Sequence, residues 1–306
     1  MAGSSKKVIY AALIGNGIIA VLKFIASAIT GSAAMFSEGI HSVVDTGNQV
    51  LLLFGLKQSK KPANKKYPFG HGKEMYFWCF VVAILIFAVG SGLSIYKGIQ
   101  HIQHPHVITS PLINYAVLTF ALIIELFVFW VAIKEFNKYK GKRKYLEAIQ
   151  KGKDPGLFVV LLEDAAATVG LIVAMLGIAI SQITGNYAYD GIASVIIGII
   201  LALVAGLLAY ETKGLLIGEA ADPEIVDGVE KIASQYTGVE CVNEVLTMHM
   251  GPEYILVNLS VEFNDEIHTE KMENAISKID QEIKQTYPNI KRIFIEAESW
   301  SAKQST

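Results

Sequence analysis

Charged residues are scarce in this chain of 306 residues: they make up 18% of it, whereas hydrophobic residues make up 52%. A typical soluble domain carries about 25% charged residues, so the deficit predicts that much of the chain lies out of water. The high apolar content also excludes a disordered protein, and the 26 glycines follow no three-residue period of the collagen type.

Cysteine is nearly absent as well. Cys79 and Cys241 fall in very different kinds of sequence, which excludes a scaffold built on disulfides. A net charge of −2 carries no nucleic-acid signature, so no nucleic-acid partner is expected. The chain also lacks a His-Glu-x-x-His motif and a nucleophile beside a base. We therefore predict that the protein is not an enzyme.

Six apolar runs of about 20 residues are present instead, the length that a helix needs to cross a bilayer. The first run follows a lysine-tipped segment that resembles a signal peptide, but it is longer than a signal core and a second run follows almost at once. We therefore expect it to be retained. The runs predict transmembrane helices at residues 8–29, 33–56, 77–99, 112–133, 157–183 and 191–210.

Positive charges fall on one side of these spans. Lys and Arg are frequent between spans two and three and between spans four and five, and absent from residues 30–32, 100–111 and 184–190. By the positive-inside rule, both termini of this multi-pass protein face the cytosol. The short N-terminal segment without a cleavable signal favours a bacterial inner membrane, with an organelle membrane as the alternative.

Beyond Leu216 the sequence becomes charged and its patterns become short. We predict a transmembrane transport domain at residues 1–216 and a cytosolic α+β domain at residues 217–306. Its predicted order is α-β-β-α-β, ferredoxin-like. The predicted fold class is thus an α-helical membrane protein of six transmembrane helices with a C-terminal cytosolic α+β domain. The predicted helices and strands cover residues 223–236, 239–249, 254–263, 269–286 and 290–295.

Two polar pairs interrupt the apolar runs. His41 and Asp45 in span two are four residues apart, and so are Asp164 and Thr168 in span five, so each pair shares one helix face. A charge at mid-membrane costs at least about 2.5–3.5 kcal/mol and therefore needs a reason. At about 1.5 Å per residue, Asp45 and Thr168 both lie roughly 17 Å from the cytosolic ends of their helices. The pairs can meet if spans two and five pack together.

One imidazole and two carboxylates suit a divalent transition metal such as Zn²⁺, which takes His nitrogen and Asp oxygen ligands. All three ligands also bind protons, so protons can displace the metal. The alternative is a structural polar network that fixes helix packing. The fourth ligand stays open between Thr168, water and Glu38, and Glu163 is expected to make another helix contact.

Further intramembrane charges have less defined roles. Lys23 in span one is either a counter-ion for a carboxylate or a side chain that reaches the interface. Glu125 in span four receives no ligand role.

The chain also resembles a known family along nearly its whole length. The loop Tyr67-Pro-Phe-Gly-His-Gly-Lys-Glu74 and the span-six motif Asp190-Gly-Ile-Ala-Ser-Val-Ile-Ile-Gly198, together with the pairs in spans two and five, are similar to the cation diffusion facilitator family. The segments Ser37-Glu-Gly-Ile-His-Ser42 and Leu162-Glu-Asp-Ala-Ala166 resemble most the branch of zinc transporter nine.

This resemblance implies a homodimer, joined through the cytosolic domain, that exports Zn²⁺ or a related divalent ion as substrate in exchange for protons across the lipid bilayer. It implies a transport site at His41, Asp45, Asp164 and Thr168. Typical zinc members have Asp-xxx-Asp in span two and His-xxx-Asp in span five, so this chain has one acidic ligand fewer. The open alternatives are Mn²⁺, Fe²⁺, Co²⁺ or Ni²⁺ at the same site, a membrane metal sensor without flux, and a proton-coupled carrier of an organic cation.

The resemblance also implies additional metal positions. In the loop between spans two and three only His71 is retained, because Asn64 and Tyr67 occupy the other positions; a loop hydrogen bond is the favoured alternative. In the cytosolic domain Asn243 and Asn258 stand where histidines often occur, which predicts a degraded site. The possible additional ligands are Glu38, His71, His268, Glu296 and Glu298.

The remaining histidines fall in the cytosolic domain and in the outer connection. His249 of the cytosolic domain is expected to be exposed on its strand. The outer connection carries His101, His104 and His106, which either capture metal or belong to an ordinary loop.

Overall fold

The computed structural model describes residues 2–30, 33–105, 111–141, 143–150 and 152–299. His106 lies outside these ranges. Within them, some helical side chains are also outside the description, at residues 2–8, 11, 12, 27, 30, 33–38, 40, 41, 111, 146 and 150.

Six long helical segments cover the six predicted spans. The third is interrupted by a π-helical turn, Ile86–Ser91, between two α-helices. A short helix, α6, precedes the fifth segment. In chain order the helices are α1 (Ala2–Thr30), α2 (Ala33–Ser59), α3 (Glu74–Leu85), α4 (Gly92–Gln103), α5 (Pro111–Lys140), α6 (Tyr145–Gln150), α7 (Pro155–Thr184) and α8 (Ala188–Ile217).

Four of these segments are long and apolar enough to cross a membrane within the described part of the chain: Glu74–Gln103, Leu112–Lys140, Pro155–Thr184 and Ala188–Ile217. Helix α1 contains a shorter apolar stretch, Leu13–Ala26. Helices α1 and α2 have 29 and 27 residues, which exceeds the length of about 20 that a bilayer requires. Their membrane crossing remains a prediction.

Apolar side chains at helical spacing hold α1, α5 and α7 together. The buried cluster takes Ile19 from α1, Leu118 from α5 and Leu171 from α7. On another side, α4 and α8 approach closely at Gly98 and Gly191, since a Cβ on Gly98 would lie 2.7 Å from the Gly191 carbonyl oxygen. These contacts place the charged residues of spans one, four and five near one another.

The C-terminal elements have the predicted order α-β-β-α-β. They are α9 (Pro223–Ser234), β1 (Val239–Gly251), β2 (Tyr254–Phe263), α10 (Thr269–Thr286) and β3 (Ile290–Ala297). The sheet order is β1-β2-β3, in which β1 and β2 are antiparallel and β2 and β3 are parallel. Alternate residues of β2, among them Val257 and Leu259, pack against Ile279 and Ile283 of α10 and Val229 of α9. The helices therefore bury one face of the sheet.

The prediction that His249 is exposed is wrong, because its exposed fraction is 4%. Its backbone N–H donates to the Glu219 carbonyl, and the Ala221 N–H donates to the Thr247 hydroxyl. The segment before α9 thus covers the free edge of β1. Across the hairpin His249 pairs with Ile255, which is 1% exposed, so its side chain lies on the face of the sheet that the helices bury. The strand pattern alone does not reveal which face is covered, because Met248 and Met250 make the opposite face look apolar.

The described residues form two compact units, which do not follow the chain order. One comprises Met1–Gln58 and Glu74–Lys213, and the other comprises Ser59–Lys73 and Gly214–Thr306. The loop between spans two and three thus belongs to the same unit as the sheet. The predicted boundary at residues 216 and 217 stays a prediction.

Backbone proximity and an aromatic contact hold this loop against the sheet. The Phe69 and Phe294 ring centroids lie 6.5 Å apart, edge to face. Lys73 Nζ donates to the Leu216 carbonyl at 3.3 Å. A Cβ on Gly72 would lie 2.3 Å from the Met250 carbonyl oxygen, so only glycine allows this approach.

We expect Gly72→Ala to separate the loop from the sheet, because the new Cβ overlaps the rigid backbone of β1. Trypsin should then cleave after Lys60, Lys65 and Lys66 several-fold faster than in the wild type, as measured by timed proteolysis and mass spectrometry. Gly206→Ala is the matched control, since its Cβ has no atom within 4 Å. Equal cleavage rates for the two variants would contradict this docking.

Candidate metal centre

The two polar pairs lie on α2 and α7. Asp45 is 4% exposed, Asp164 is 1% exposed and Thr168 is 7% exposed, so all three side chains are buried. His41 is part of α2, but its side chain and that of Glu38 lie outside the described residues. The convergence of the imidazole with the two carboxylates therefore stays a prediction.

Helices α2 and α7 are bonded to each other at the level of these pairs. Asn48 Nδ2 donates to Glu163 Oε1 at 2.8 Å, and Gln49 Nε2 donates to Glu163 Oε2 at 3.2 Å. Both carboxylate oxygens of Glu163 thus accept from amide groups on α2. Asn48 is one helical turn from Asp45, and Glu163 is adjacent to Asp164, so this contact brings the two pairs to the same height.

Asp164 has a different environment from the adjacent Glu163. Both carboxylate oxygens of Asp164 and the Thr168 hydroxyl are buried without a hydrogen-bond partner among the described side chains. Glu125, Glu163 and Asp45 all act electrostatically on Asp164, so three other carboxyl groups lie within electrostatic range of it. Burying such charges is costly unless a cation compensates them. The arrangement therefore suits a cation.

A cavity lies beside Asp45. Its polar walls are Lys23 of α1, Ser42 and Asp45 of α2, and Glu125 of α5, and small residues of α7, such as Gly170, leave the space open. Lys23 Nζ donates to Ser42 Oγ at 3.0 Å. From the sequence, the role of Lys23 stayed open and Glu125 received no ligand role. Both residues carry a charge within an apolar run, and the free-energy cost of that charge in the membrane could have identified them as functional candidates.

The loop residue His71 makes a local contact. Its Nε2 lies 3.2 Å from Asn64 Nδ2, and its ring lies 4.5 Å from the Tyr67 ring. The Asn64 side-chain oxygen also accepts from the backbone N–H groups of Lys66 and Tyr67. The residues at the three predicted ligand positions thus bond to one another and to the loop backbone.

In the C-terminal unit, neutral side chains hold the predicted ligand Glu298. Its Oε2 accepts from Ser260 Oγ at 3.0 Å, and its carbonyl oxygen accepts from Asn243 Nδ2 at 3.0 Å. Glu296 and His268 are exposed. Among the side chains that the structure describes, which leave out Glu38 and His41, no three His, Cys, Asp or Glu residues are arranged to hold one ion.

The histidines near the end of α4 make a contact with α8. His101 Nε2 lies 3.9 Å from Asp190 Oδ2. This contact joins the end of α4 to the start of α8. His104 is exposed just after α4.

Cys241 lies beside Asn243, the residue that bonds to the Glu298 carbonyl. The Cys241 thiol donates to Glu262 Oε2 at 3.3 Å. Desolvation raises the pKa of Cys241 above its ordinary value, and the hydrogen bond and negative charge of Glu262 raise it further. The thiol is therefore protonated and unreactive at neutral pH.

The α2–α7 contact predicts an energetic coupling between Asn48 and Glu163. Asn48→Ala and Glu163→Ala should each destabilise the protein, and the double variant should lose less than their sum by about 0.6–1.7 kcal/mol, the range of interhelical hydrogen bonds in membrane proteins. Unfolding free energies in mixed micelles measure this. Asn16→Ala, a buried asparagine of α1, is the control, and it should show no coupling with Glu163→Ala.

The environment of Cys241 predicts slow alkylation that Glu262 controls. Glu262→Gln removes a negative charge, so the pKa of Cys241 should fall and the thiolate fraction near pH 8 should rise. We expect iodoacetamide to alkylate this variant several-fold faster than the wild type. Cys79 is buried, so the folded protein reports on Cys241. Glu253→Gln, at the far end of the hairpin, should leave the rate unchanged; an equal rate in both variants would contradict the assignment.

Two family models match most of the chain. The model described as cation efflux transmembrane domain matches residues 9–217. The model described as cation efflux protein, cytoplasmic domain, matches residues 221–300.

Several curated proteins are similar to the chain. "Proton-coupled zinc antiporter SLC30A9, mitochondrial" of Xenopus laevis is 34% identical over 88% of this chain and 48% of its own length. The Homo sapiens protein of the same name is 33% identical over 86% of this chain and 47% of its own length. "Manganese efflux system protein MneP" of Bacillus subtilis (strain 168) is 23% identical over 95% of both chains. The chain thus spans about half the length of the zinc antiporters that it matches.

Proposed function

The chain belongs to the cation efflux family, and we propose on this premise that it exports Zn²⁺ in exchange for protons by alternating access. The membership itself supports divalent metal efflux, and the named relatives are transporters rather than enzymes. The observation that carries the proposal is the buried carboxylate of Asp164, which has no partner among the described side chains and lies within electrostatic range of Asp45.

His41, Asp45 and Asp164 are the proposed ligands, with Thr168, water or Glu38 in the fourth position. Zn²⁺ accepts His and Asp ligands at about 2.0–2.2 Å in a tetrahedral arrangement. Two aspartates offset the charge of the ion, which lowers the cost of holding it in a medium of low dielectric constant. The contacts of Glu163 with Asn48 and Gln49 support the choice of Asp164 as the ligand from α7, because they occupy the carboxylate of Glu163.

Proton coupling follows from the same ligands. An imidazole and two carboxylates each bind either a proton or the metal, so a proton gradient can drive the release of the ion. In the proposed cycle the site loads from the cytosol, the helices rock, protons displace the ion on the far side, and the protonated site returns. The zinc antiporters named above are called proton-coupled, which supports the proposal.

Manganese is the second candidate substrate, because a relative of nearly the same length is named a manganese efflux protein. The imidazole of His41 favours zinc, whereas Mn²⁺ prefers carboxylate and water oxygens. Fe²⁺, Co²⁺ and Ni²⁺ remain alternatives at the same ligands. A metal sensor would bind the ion without moving it.

The proposed assembly is a homodimer joined through residues 217–306, with residues 1–216 as the transport domain and both termini in the cytosol. The match of the C-terminal unit to the family's cytoplasmic domain supports this assignment. A bacterial inner membrane is the proposed location, and an organelle membrane is the alternative that the mitochondrial relatives favour.

The direct test is flux into liposomes that contain the purified protein and a trapped zinc dye. An outward-directed proton gradient should accelerate Zn²⁺ uptake, because protons are the exchange partner. Asp45→Ala/Asp164→Ala should reduce uptake to the rate of protein-free liposomes. Asp265→Ala, on an exposed turn of the C-terminal unit, is the control and should transport as the wild type does. Normal uptake by the double variant would overturn the proposal, and binding without flux in the wild type would favour the sensor.

A further inference from the structure

A lysine is buried in the cavity beside the proposed metal ligands. Lys23 is 2% exposed, and its Nζ donates to Ser42 Oγ at 3.0 Å. Ser42 is adjacent to His41 and three residues before Asp45 on α2. An ammonium group buried at this depth is stable only if negative groups surround it. The cavity supplies two, since Asp45 and Glu125 line it together with Lys23.

These groups come from three helices. Lys23 comes from α1, Asp45 from α2 and Glu125 from α5. The Glu125 side chain is buried, with an exposed fraction of 3%. The charges of Asp45 and Glu125 also act on Asp164. The positive charge of Lys23 therefore shares a cavity with Asp45, one of the carboxylates that the proposed cargo requires. A divalent cation and an ammonium group in the same buried cavity repel each other strongly, because little water is present to screen their charges.

We propose that Lys23 is a tethered counter-cation of this cavity, which a bound metal ion displaces from Asp45 toward Glu125. Without metal, the ammonium offsets the charge of the cavity walls. When the ion takes Asp45, the flexible four-carbon stem of Lys23 lets the ammonium withdraw to Glu125. Lys23 is thus a positioning residue that sets how tightly the cavity holds metal, and this role rests on the proposed transport function.

The proposal has a physical consequence for the cycle. A cation attached to the protein competes with the metal on every turnover, so it weakens metal binding and speeds release. It also compensates Glu125, which is not one of the proposed ligands, while the protonated site returns, since an uncompensated buried carboxylate is costly. A purely structural lysine would have neither effect.

The first test is metal binding by Lys23→Met. Calorimetric titration of the purified full chain in detergent with Zn²⁺, near pH 8 where proton competition is weak, should show binding about tenfold tighter than in the wild type. Turnover in liposomes at saturating Zn²⁺ should fall, because release and return are slower. Lys23→Arg retains the charge and should bind close to the wild type. Lys97→Met, an exposed lysine of α4 that contacts Gln100, is the matched control and should change neither value.

The second test addresses Glu125. In the wild-type background Glu125→Gln should weaken Zn²⁺ binding about tenfold, because the ammonium loses the group to which it withdraws and competes harder for Asp45. In the Lys23→Met background the same substitution should weaken binding less than threefold. Equal losses in both backgrounds would mean that Glu125 acts on the metal directly, and would overturn the proposal. Glu135→Gln, a carboxylate of α5 that pairs with Lys138 at 2.6 Å, is the control.

Other outcomes separate this inference from the transport function. If Asp45→Ala/Asp164→Ala binds Zn²⁺ as the wild type does, the proposed transport site is wrong. If that variant loses Zn²⁺ but Lys23→Met binds no tighter, only the counter-cation is overturned. Should Lys23→Met not fold, as judged by its melting temperature, Lys23→Gln removes the same charge while keeping a donor for Ser42, and the same tenfold gain is expected.

Discussion

A charge buried between apolar helices must be compensated, and the transmembrane unit meets this constraint in three ways. Amide donors of α2 compensate Glu163. Lys23 shares a cavity wall with Asp45 and Glu125. Asp164 receives neither kind of compensation from the described side chains. A buried carboxyl group without such a partner is available to a cation that enters and leaves, which is the role proposed for Asp164.

Adjacent acidic residues on α7 thereby acquire opposite roles. Glu163 and Asp164 differ by about 100° around the helix axis. Glu163 therefore meets the amides of α2, whereas the Asp164 carboxylate has no hydrogen-bond partner among the described side chains. The first contact fixes the height at which α2 and α7 pack, and that height places Asp45 near Asp164. The structural contact of Glu163 and the proposed transport site at Asp164 are thus neighbours on one helix, and they do not compete as explanations of the same residue.

In the C-terminal unit, the polar side chains at the predicted additional metal positions bond within the protein. Asn243 and Ser260 bond to Glu298, and the loop residues Asn64 and His71 contact each other, so polar groups at these positions have partners within the protein. The loop also packs on the sheet through Gly72 and Phe69. This unit is therefore held together by hydrogen bonds and close packing.

Local patterns in the sequence determined the helical segments of the membrane unit and the α-β-β-α-β order, because apolar run length and periodicity are properties of neighbouring residues. They also identified the polar pairs of α2 and α7, since a charge within an apolar run is visible from its cost alone. Tertiary structure decided the rest. The burial of His249 depends on which face of β1 the helices cover, since His249 pairs with the buried Ile255. The meeting of Lys23 with Glu125 depends on how α1 and α5 are rotated against α2. Those arrangements arise from contacts between residues far apart in the chain, which no local pattern records.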